Sequence, residues 1–179
     1  MKKIYLVRHC KAVGQQPESP LTEEGSKDAS SLIVDFFMGK RIEKIISSPY
    51  LRAIDTIKPY SIISNTEIKI DERLMERVLS TSNLEDWLIK LEETYEDLEL
   101  KFEGGESSSE AIKRGIQLIN EIVEMRENNV ILVTHGALLS LIIMQYNQTF
   151  GFKDWQAMKN PEIYCLEVEQ NGIRLNHLL

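Results

Sequence analysis

The stretch Lys3-Ile4-Tyr5-Leu6-Val7-Arg8-His9 is an apolar run that ends in two polar residues, and Val130-Ile131-Leu132-Val133-Thr134-His135-Gly136 repeats this arrangement. Apolar runs of this length, rich in β-branched residues, are typical of buried strands in a parallel sheet. Open α/β sheets bind ligands outside the carboxyl ends of such strands. We therefore expect His9 and His135 to lie at one edge of a parallel sheet.

Strand and helix patterns alternate along the rest of the chain, which predicts an α/β fold. Further strands are expected at Ile42–Ser47 and around Ile68–Ile70, and a closing β-hairpin is expected from Ile163–Val168 and Ile173–Leu175. The predicted architecture is a three-layer sandwich, a mostly parallel sheet with helices on both faces. We expect residues 1–179 to form a single catalytic domain.

Capping patterns predict where the helices begin. Thr22 and Ser107 are expected N-caps, Pro49 suits a first helical position, and Asn83 is expected to cap a helix that runs through Leu91. The first helix should bury one apolar stripe, formed by Ala29, Leu32, Ile33, Phe36 and Phe37. We interpret the acidic segment from Glu92 to Glu106 as a solvated surface, with a lid or a partner-binding edge as the alternative.

Composition and charge limit the classes of partner. The chain has 179 residues, 42% hydrophobic and 27% charged, as in ordinary soluble domains, and its net charge of -7 disfavours nucleic acid and anionic membranes. Neither a signal-peptide pattern nor an apolar run of about 20 residues is present, so we expect a cytoplasmic protein. Cys10 and Cys165 lack metal or redox spacing and suit a reducing compartment. Nothing in the composition indicates the oligomeric state.

Four side chains are expected to converge if the strands are parallel neighbours: Arg8 and His9 after the first strand, Arg52 after the second, and His135 after the strand from Val130. Guanidinium groups bind phosphate oxygens in a fork, and the N–H groups of a helix that opens at Gly136 and Ala137 would add donors. A histidine beside a held phosphoryl group can act as its nucleophile. This combination indicates phosphate chemistry.

Six motifs occur in an order that resembles the histidine phosphatase superfamily, the phosphoglycerate mutase-like proteins. They are Leu6-Val7-Arg8-His9, Leu21-Thr22-x-x-Gly25, Ser47-Ser48-Pro49-x-x-Arg52-Ala53-x-x-Thr56, Leu74-x-Glu76-Arg77, Gly104-Gly105-Glu106-Ser107 and Val133-Thr134-His135-Gly136. Each motif alone is weak, whereas the ordered set, from residue 4 to about 140, is specific. The resemblance implies a phosphoglycerate mutase-like fold.

The resemblance also implies roles for individual residues. His9 would be phosphorylated, Arg8, Arg52 and His135 would bind the phosphoryl group, and Glu76 would be the general acid and base. Gln15 lies where many relatives have a phosphate-binding asparagine, so it is a weaker candidate ligand. Ala137 remains a candidate ligand through its backbone N–H, as argued above. No metal and no other cofactor is implied. For the role of Glu76, Asp71 and Glu72 remain rival carboxylates.

Cys10 departs from the family pattern, which usually has glycine after the Arg-His pair. A side chain there is expected to narrow the pocket, alter the backbone or make the enzyme sensitive to oxidation. Cys10 as the nucleophile is disfavoured because cysteine phosphatases need an arginine six positions later, where this chain has Gln16. His177 is interpreted as incidental. Trp87 and Trp155 are interpreted as core or partly buried surface, with a wall of the substrate site as the alternative.

The leading hypothesis is a metal-independent phosphatase that acts on small phosphomonoesters or phosphorylated protein side chains through a phosphohistidine at His9. A phosphoglycerate mutase is the rival within the family, although only about thirty residues separate Glu76 from Glu106, which disfavours an enclosing lid. A non-catalytic phospholigand-binding protein is a second alternative. A metal hydrolase is a third, disfavoured because the histidines lack metal-ligand spacing.

Overall fold

The computed structural model describes residues 1–179 as one six-stranded sheet with helices on both faces. The strands are β1 (Lys2–Arg8), β2 (Lys44–Ser47), β3 (Ile68–Ile70), β4 (Asn129–Thr134), β5 (Glu162–Glu169) and β6 (Gly172–His177). The α-helices are α1 (Glu23–Asp28), α2 (Val34–Phe37), α3 (Leu51–Ser64), α4 (Trp87–Glu96), α5 (Ser108–Glu124), α6 (Gly136–Met144) and α7 (Phe152–Ala157). A π-helical turn at Ala29–Ile33 joins α1 to α2, and a 3-10 turn spans Glu72–Leu74.

The strand order is β3-β2-β4-β1-β5-β6. The four strands from β3 to β1 are mutually parallel, whereas β5 pairs antiparallel with β1 and with β6. The predicted mostly parallel sheet and the predicted closing hairpin are confirmed. Because β5 runs against β1, its first residues lie beside the carboxyl end of β1.

Alternating side chains of each central strand enter two separate cores, as the period of two in a β-strand requires. Along β1, Ile4 and Leu6 pack beneath α5 and α6, whereas Tyr5 and Val7 pack beneath α2 and α3. All four are at most 5% exposed. The three-layer sandwich predicted from the sequence is therefore the observed architecture.

Two predicted helix caps are confirmed and two are wrong. Thr22 accepts from the Gly25 N–H, and Ser107 forms a full capping box with Glu110. Pro49 lies before helix α3, because Tyr50 is the N-cap of that helix. The first helical N–H, that of Leu51, donates to the Pro17 carbonyl in a loop. The helix predicted from Asn83 begins at Trp87 instead.

The first helix departs from its predicted stripe at one position. Ala29, Ile33 and Phe37 are buried, but Leu32 is 37% exposed. The π-helical turn at Ala29–Ile33 widens the helical ring there, which rotates Leu32 away from the sheet. None of the helices combines the length and the apolar character needed to cross a bilayer.

Candidate active site

The carboxyl ends of β1, β2 and β4 meet at one edge, because these three strands are parallel neighbours. His9 follows β1, Ser48 follows β2 and His135 follows β4. The His9 N–H donates to the Thr134 carbonyl, and the Ser48 N–H donates to the Val133 carbonyl, both at 3.0 Å. The His9 and His135 rings are 5.1 Å apart between centroids. The structure thus brings together the two histidines that the strand pattern places at one edge.

The hydrogen bonds of His9 assign its tautomer. Its Nδ1 lies 2.6 Å from the Cys10 carbonyl oxygen, which only accepts, so Nδ1 carries the proton. Its Nε2 then holds a lone pair, which accepts from Arg52 Nε at 3.2 Å. Burial, with the charges of Arg52 and Arg8, lowers the pKa of His9 to about 4. A neutral imidazole with a free Nε2 lone pair is the form that can attack phosphorus.

The titration of His9 provides a direct test of this environment. We expect its Cε1–H signal in NMR, identified by its loss in His9→Ala, to titrate with a midpoint of about 4, below the ordinary 6.5. Because the folded-state pKa is depressed, protonation favours the unfolded chain, and this contribution to stability is lost as pH falls from 6.5 to about 4. A midpoint near 6.5 would show that His9 is not desolvated by its neighbours.

The two predicted arginines are held by backbone carbonyls. Arg52, in the first turn of α3, is 1% exposed, and its Nη1 donates to the carbonyls of Gln15 and Gln16 at 3.1 and 2.8 Å. Arg8 Nη1 donates to the Met158 carbonyl at 2.8 Å. Burial lowers the pKa of both groups, yet guanidinium remains charged in proteins. Neither group pairs with a carboxylate, so both charges are available to an anion.

Two buried side-chain nitrogens have no hydrogen-bond partner in the whole structure, Arg8 Nε and His135 Nδ1. The opposite nitrogen of His135, Nε2, lies 2.8 Å from Ser48 Oγ, and the ring packs against Tyr50 at 4.9 Å. Buried polar atoms are nearly always paired, so an unpaired atom requires an explanation. Both atoms belong to residues predicted to hold a phosphoryl group, whose oxygens would supply the partners.

The short distance between Gly136 and Arg8 predicts the effect of adding a methyl group. A Cβ at Gly136 would lie 3.0 Å from Cζ, Nε and Nη2 of Arg8. We expect Gly136→Ala to displace the guanidinium and lower kcat/KM about 10- to 100-fold, with little change in the melting temperature. Gly151→Ala is the matched control, since a Cβ there has no neighbour within 4 Å. Equal activity of the two variants would contradict the placement of Arg8.

Glu76 lies at the positive end of helix α6. Its Oε2 accepts from the Ala137 N–H at 3.1 Å, and its Oε1 accepts from the Leu138 and Arg77 N–H groups at 3.0 and 2.8 Å. Two of these donors, the Ala137 and Leu138 N–H groups, belong to the first turn of α6, where the helix itself offers them no acceptor. The Ala137 N–H, predicted as a phosphate donor, is therefore already engaged by Glu76.

The segment that carries Glu76 is fixed from two sides. Arg114 donates to the Met75 carbonyl at 2.9 Å and forms a two-pronged ion pair with Glu106 at 2.5 and 3.0 Å. Thr134 Oγ1 donates to the Leu74 carbonyl at 2.8 Å, which ties the segment to the end of β4. The backbone just before Glu76 is thus held by two side chains that are distant in sequence, those of Arg114 and Thr134.

The rival carboxylates are placed elsewhere. Asp71 pairs with Arg73 at 2.7 Å, which holds the pKa of that carboxyl below its usual range, and Glu72 is exposed in the 3-10 turn. Neither lines the cleft described below. Among the three carboxylates that the sequence leaves open, Glu76 alone reaches the site.

Cys10 points into the core and away from the site. Its side chain is fully buried in the core beneath α2 and α3, and its backbone N–H donates to Thr56 Oγ1 at 2.8 Å. Burial raises the pKa of the thiol to about 12, so it is protonated at neutral pH and a poor nucleophile. The expectation that Cys10 narrows the pocket is wrong, because the cleft is lined by other residues.

A cleft of about 420 Å³ opens beside His9, Arg8 and Glu76. Gln15 lines it with an exposed side chain, while its carbonyl contacts Arg52. Asn160, just before β5, also lines the cleft, and its Nδ2 donates to the His9 carbonyl at 2.7 Å. Asn160 is not among the predicted site residues, because no sequence pattern links it to His9, 151 residues away.

Comparisons with known proteins agree with this architecture. A family model described as the histidine phosphatase superfamily, branch 1, matches residues 4–179. A curated relative from Hydrogenobacter thermophilus, named "Putative phosphoserine phosphatase 2", is 28% identical over 159 residues, covering 80% of this chain and 77% of the relative.

Two solved structures share the fold. A mycobacterial glucosyl-3-phosphoglycerate phosphatase has a TM-score of 0.78 at 22% identity, covering 100% of this chain and 98% of that chain. A mutant phosphoserine phosphatase from Entamoeba histolytica, in complex with phosphoserine, also has a TM-score of 0.78, at 19% identity and with 99% and 95% coverage. The phosphoglycerate mutase-like fold predicted from the sequence is therefore confirmed.

Proposed function

Since this chain belongs to the histidine phosphatase superfamily, we propose that it hydrolyses small phosphomonoesters through a phosphohistidine intermediate on His9. The family match confirms the sequence prediction of a phosphatase of this superfamily. The observation that carries the mechanism is the neutral His9 ring, protonated on Nδ1, with its Nε2 lone pair facing Arg52. We take residues 1–179 as one catalytic domain, because site residues extend from Arg8 to Asn160.

In the first step the Nε2 lone pair of His9 attacks phosphorus, and the bond from phosphorus to the ester oxygen breaks. Arg8, Arg52 and His135 bind the phosphoryl oxygens, where fixed donors stabilise the charge of the transition state. Glu76 in its protonated form gives its proton to the departing alkoxide, which leaves as an alcohol.

In the second step Glu76, now a carboxylate, takes a proton from water while the water oxygen attacks phosphorus. The bond from phosphorus to Nε2 breaks, and the electron pair returns to His9. Inorganic phosphate leaves, and Glu76 has regained its proton. The positive charge that these two reaction steps need is supplied by the guanidinium groups of Arg8 and Arg52, so the proposed mechanism uses no metal.

A small-molecule substrate is favoured over a phosphoprotein. The cleft of about 420 Å³ falls within the range of about 300–1,000 Å³ typical of small-ligand sites. The three relatives described above are named as phosphatases of phosphoserine or of glucosyl-3-phosphoglycerate, both small esters. Phosphoserine therefore belongs in the first panel of substrates.

The test is phosphate release from a panel of small esters and phosphopeptides in the presence of EDTA, combined with acid-free quenching and peptide mass spectrometry during turnover. We expect release that survives the chelator and a phosphoryl mass on the peptide that contains His9. Release that stops with EDTA, or a phosphoryl group on another residue, would overturn the mechanism.

A further inference from the structure

The cleft has an apolar wall that the proposed chemistry does not use. The cleft is lined by 15 residues, six of which are hydrophobic, namely Ala12, Leu79, Trp87, Leu91, Ala137 and Trp155. None of these side chains can donate to a phosphoryl oxygen, except for the indole N–H groups. A wall of this kind contacts the part of a substrate that is not phosphate.

The two tryptophans of this wall differ in how the protein supports them. Trp155 stacks on Phe152, with ring centroids 5.4 Å apart, and packs against the core beneath α5 and α6. Trp87, the first residue of α4, is 51% exposed, belongs to neither core and has no aromatic neighbour. Of the two positions that the sequence leaves open for Trp87, core or partly buried surface, the structure shows the second, because half of its large apolar side chain is in water.

Two further cations line the cleft near this wall. Lys11 pairs with Glu24 at 2.7 Å, whereas Arg77 donates only to neutral oxygens, to Thr94 Oγ1 at 2.8 Å and to the Glu106 carbonyl at 3.3 and 3.4 Å. The case for an apolar group against this wall therefore rests on the hydrophobic side chains that form it, and not on a lack of positive charge.

We propose that Trp87 binds the alcohol portion of the substrate, and that the preferred substrates are phosphomonoesters whose alcohol carries an apolar ring. This inference rests on the proposed phosphatase function. Rings gain from stacking on an indole face in addition to burying apolar area. The ring of the alcohol covers the part of Trp87 that the protein leaves exposed, while the phosphoryl group stays on Arg8 and Arg52.

The test compares 2-phenylethyl phosphate with ethyl phosphate, since both release an ordinary primary alcohol and differ by one ring. We expect kcat/KM to be about 10-fold higher for the phenylethyl ester, a ratio that falls towards one in Trp87→Ala and is largely restored in Trp87→Phe. Ile89→Ala is the matched control, because Ile89 is 60% exposed on the same helix and does not line the cleft.

Three results would overturn the inference: a ratio near one in the wild type, an unchanged ratio in Trp87→Ala, or a higher kcat/KM for phosphoserine than for 2-phenylethyl phosphate. Binding of both esters to His9→Ala, measured by calorimetry with and without Trp87→Ala, tests the same wall without turnover. A lack of turnover with the binding preference intact would contradict the phosphatase function alone. A lack of binding preference would contradict the role of Trp87.

Discussion

His9→Ala is expected to lower turnover by about 10,000-fold or more, because removal of the nucleophile of a covalent mechanism leaves only binding and charge stabilisation. Arg8, Arg52 and His135 remain in this variant, so it should still bind phosphate esters. Steady-state release of phosphate measures the loss, and calorimetry measures the retained binding. The His9→Ala variant should therefore lose turnover while keeping its affinity for phosphate esters.

The matched control for His9→Ala is His177→Ala. His177 lies in β6, outside the cleft, and its side chain is 54% exposed. We expect this variant to keep wild-type turnover. A His9→Ala protein that folds, as shown by its melting temperature, and keeps more than a few per cent of wild-type activity would exclude a phosphohistidine at this position.

Glu76→Gln is expected to slow esters with poor leaving groups about 100- to 1,000-fold, and p-nitrophenyl phosphate only about 10-fold. An alkoxide needs a proton as it departs, whereas nitrophenolate leaves without one. The variant keeps the size of the side chain and removes its ability to transfer a proton. The measurement is kcat/KM for ethyl and p-nitrophenyl phosphate under the same conditions, because this ratio reports phosphoryl transfer to His9 and not the hydrolysis step that both esters share.

Glu76→Gln is also expected to lower the stability of the fold, and a control variant must separate this effect from the loss of proton transfer. Both oxygens of Glu76 accept backbone N–H groups, so an amide NH2 must face at least one donor. We expect the free energy of unfolding to fall by about 1–2 kcal/mol. Glu72→Gln, at an exposed carboxylate four residues earlier, should change neither stability nor turnover. Equal losses on both esters would argue against Glu76 as the acid.

Local patterns in the sequence were sufficient to place the histidines and Arg52. The runs that end at Arg8 and Thr134 are apolar on both faces, so they belong in the centre of a parallel sheet, and they are registered against each other there. The polar residues that follow these two runs must then lie at the carboxyl edge of the sheet. The capping box at Ser107 is equally local, since both of its hydrogen bonds span three residues.

The missed features depend on distant contacts. Leu32 is turned outward by a π-helical turn that the 3.6-residue period does not reveal. Trp87, the first residue of α4, is half exposed and belongs to neither core, and its apolar side chain alone does not distinguish this position from a core position. Met158 and Asn160 form hydrogen bonds with Arg8 and His9 because β5 runs antiparallel to β1. The hydrophobic periodicity of the sequence does not specify this direction.

The position of β1 in the middle of the sheet has a consequence for the order of folding. β1 lies between β4 and β5, so the first strand of the chain has no paired neighbour until about 130 further residues have been synthesised. Contacts so distant in sequence form slowly, because a long loop must close before they contribute. We therefore expect β1 to stay unpaired during synthesis until β4 has been made, and the site around His9 to form late in folding.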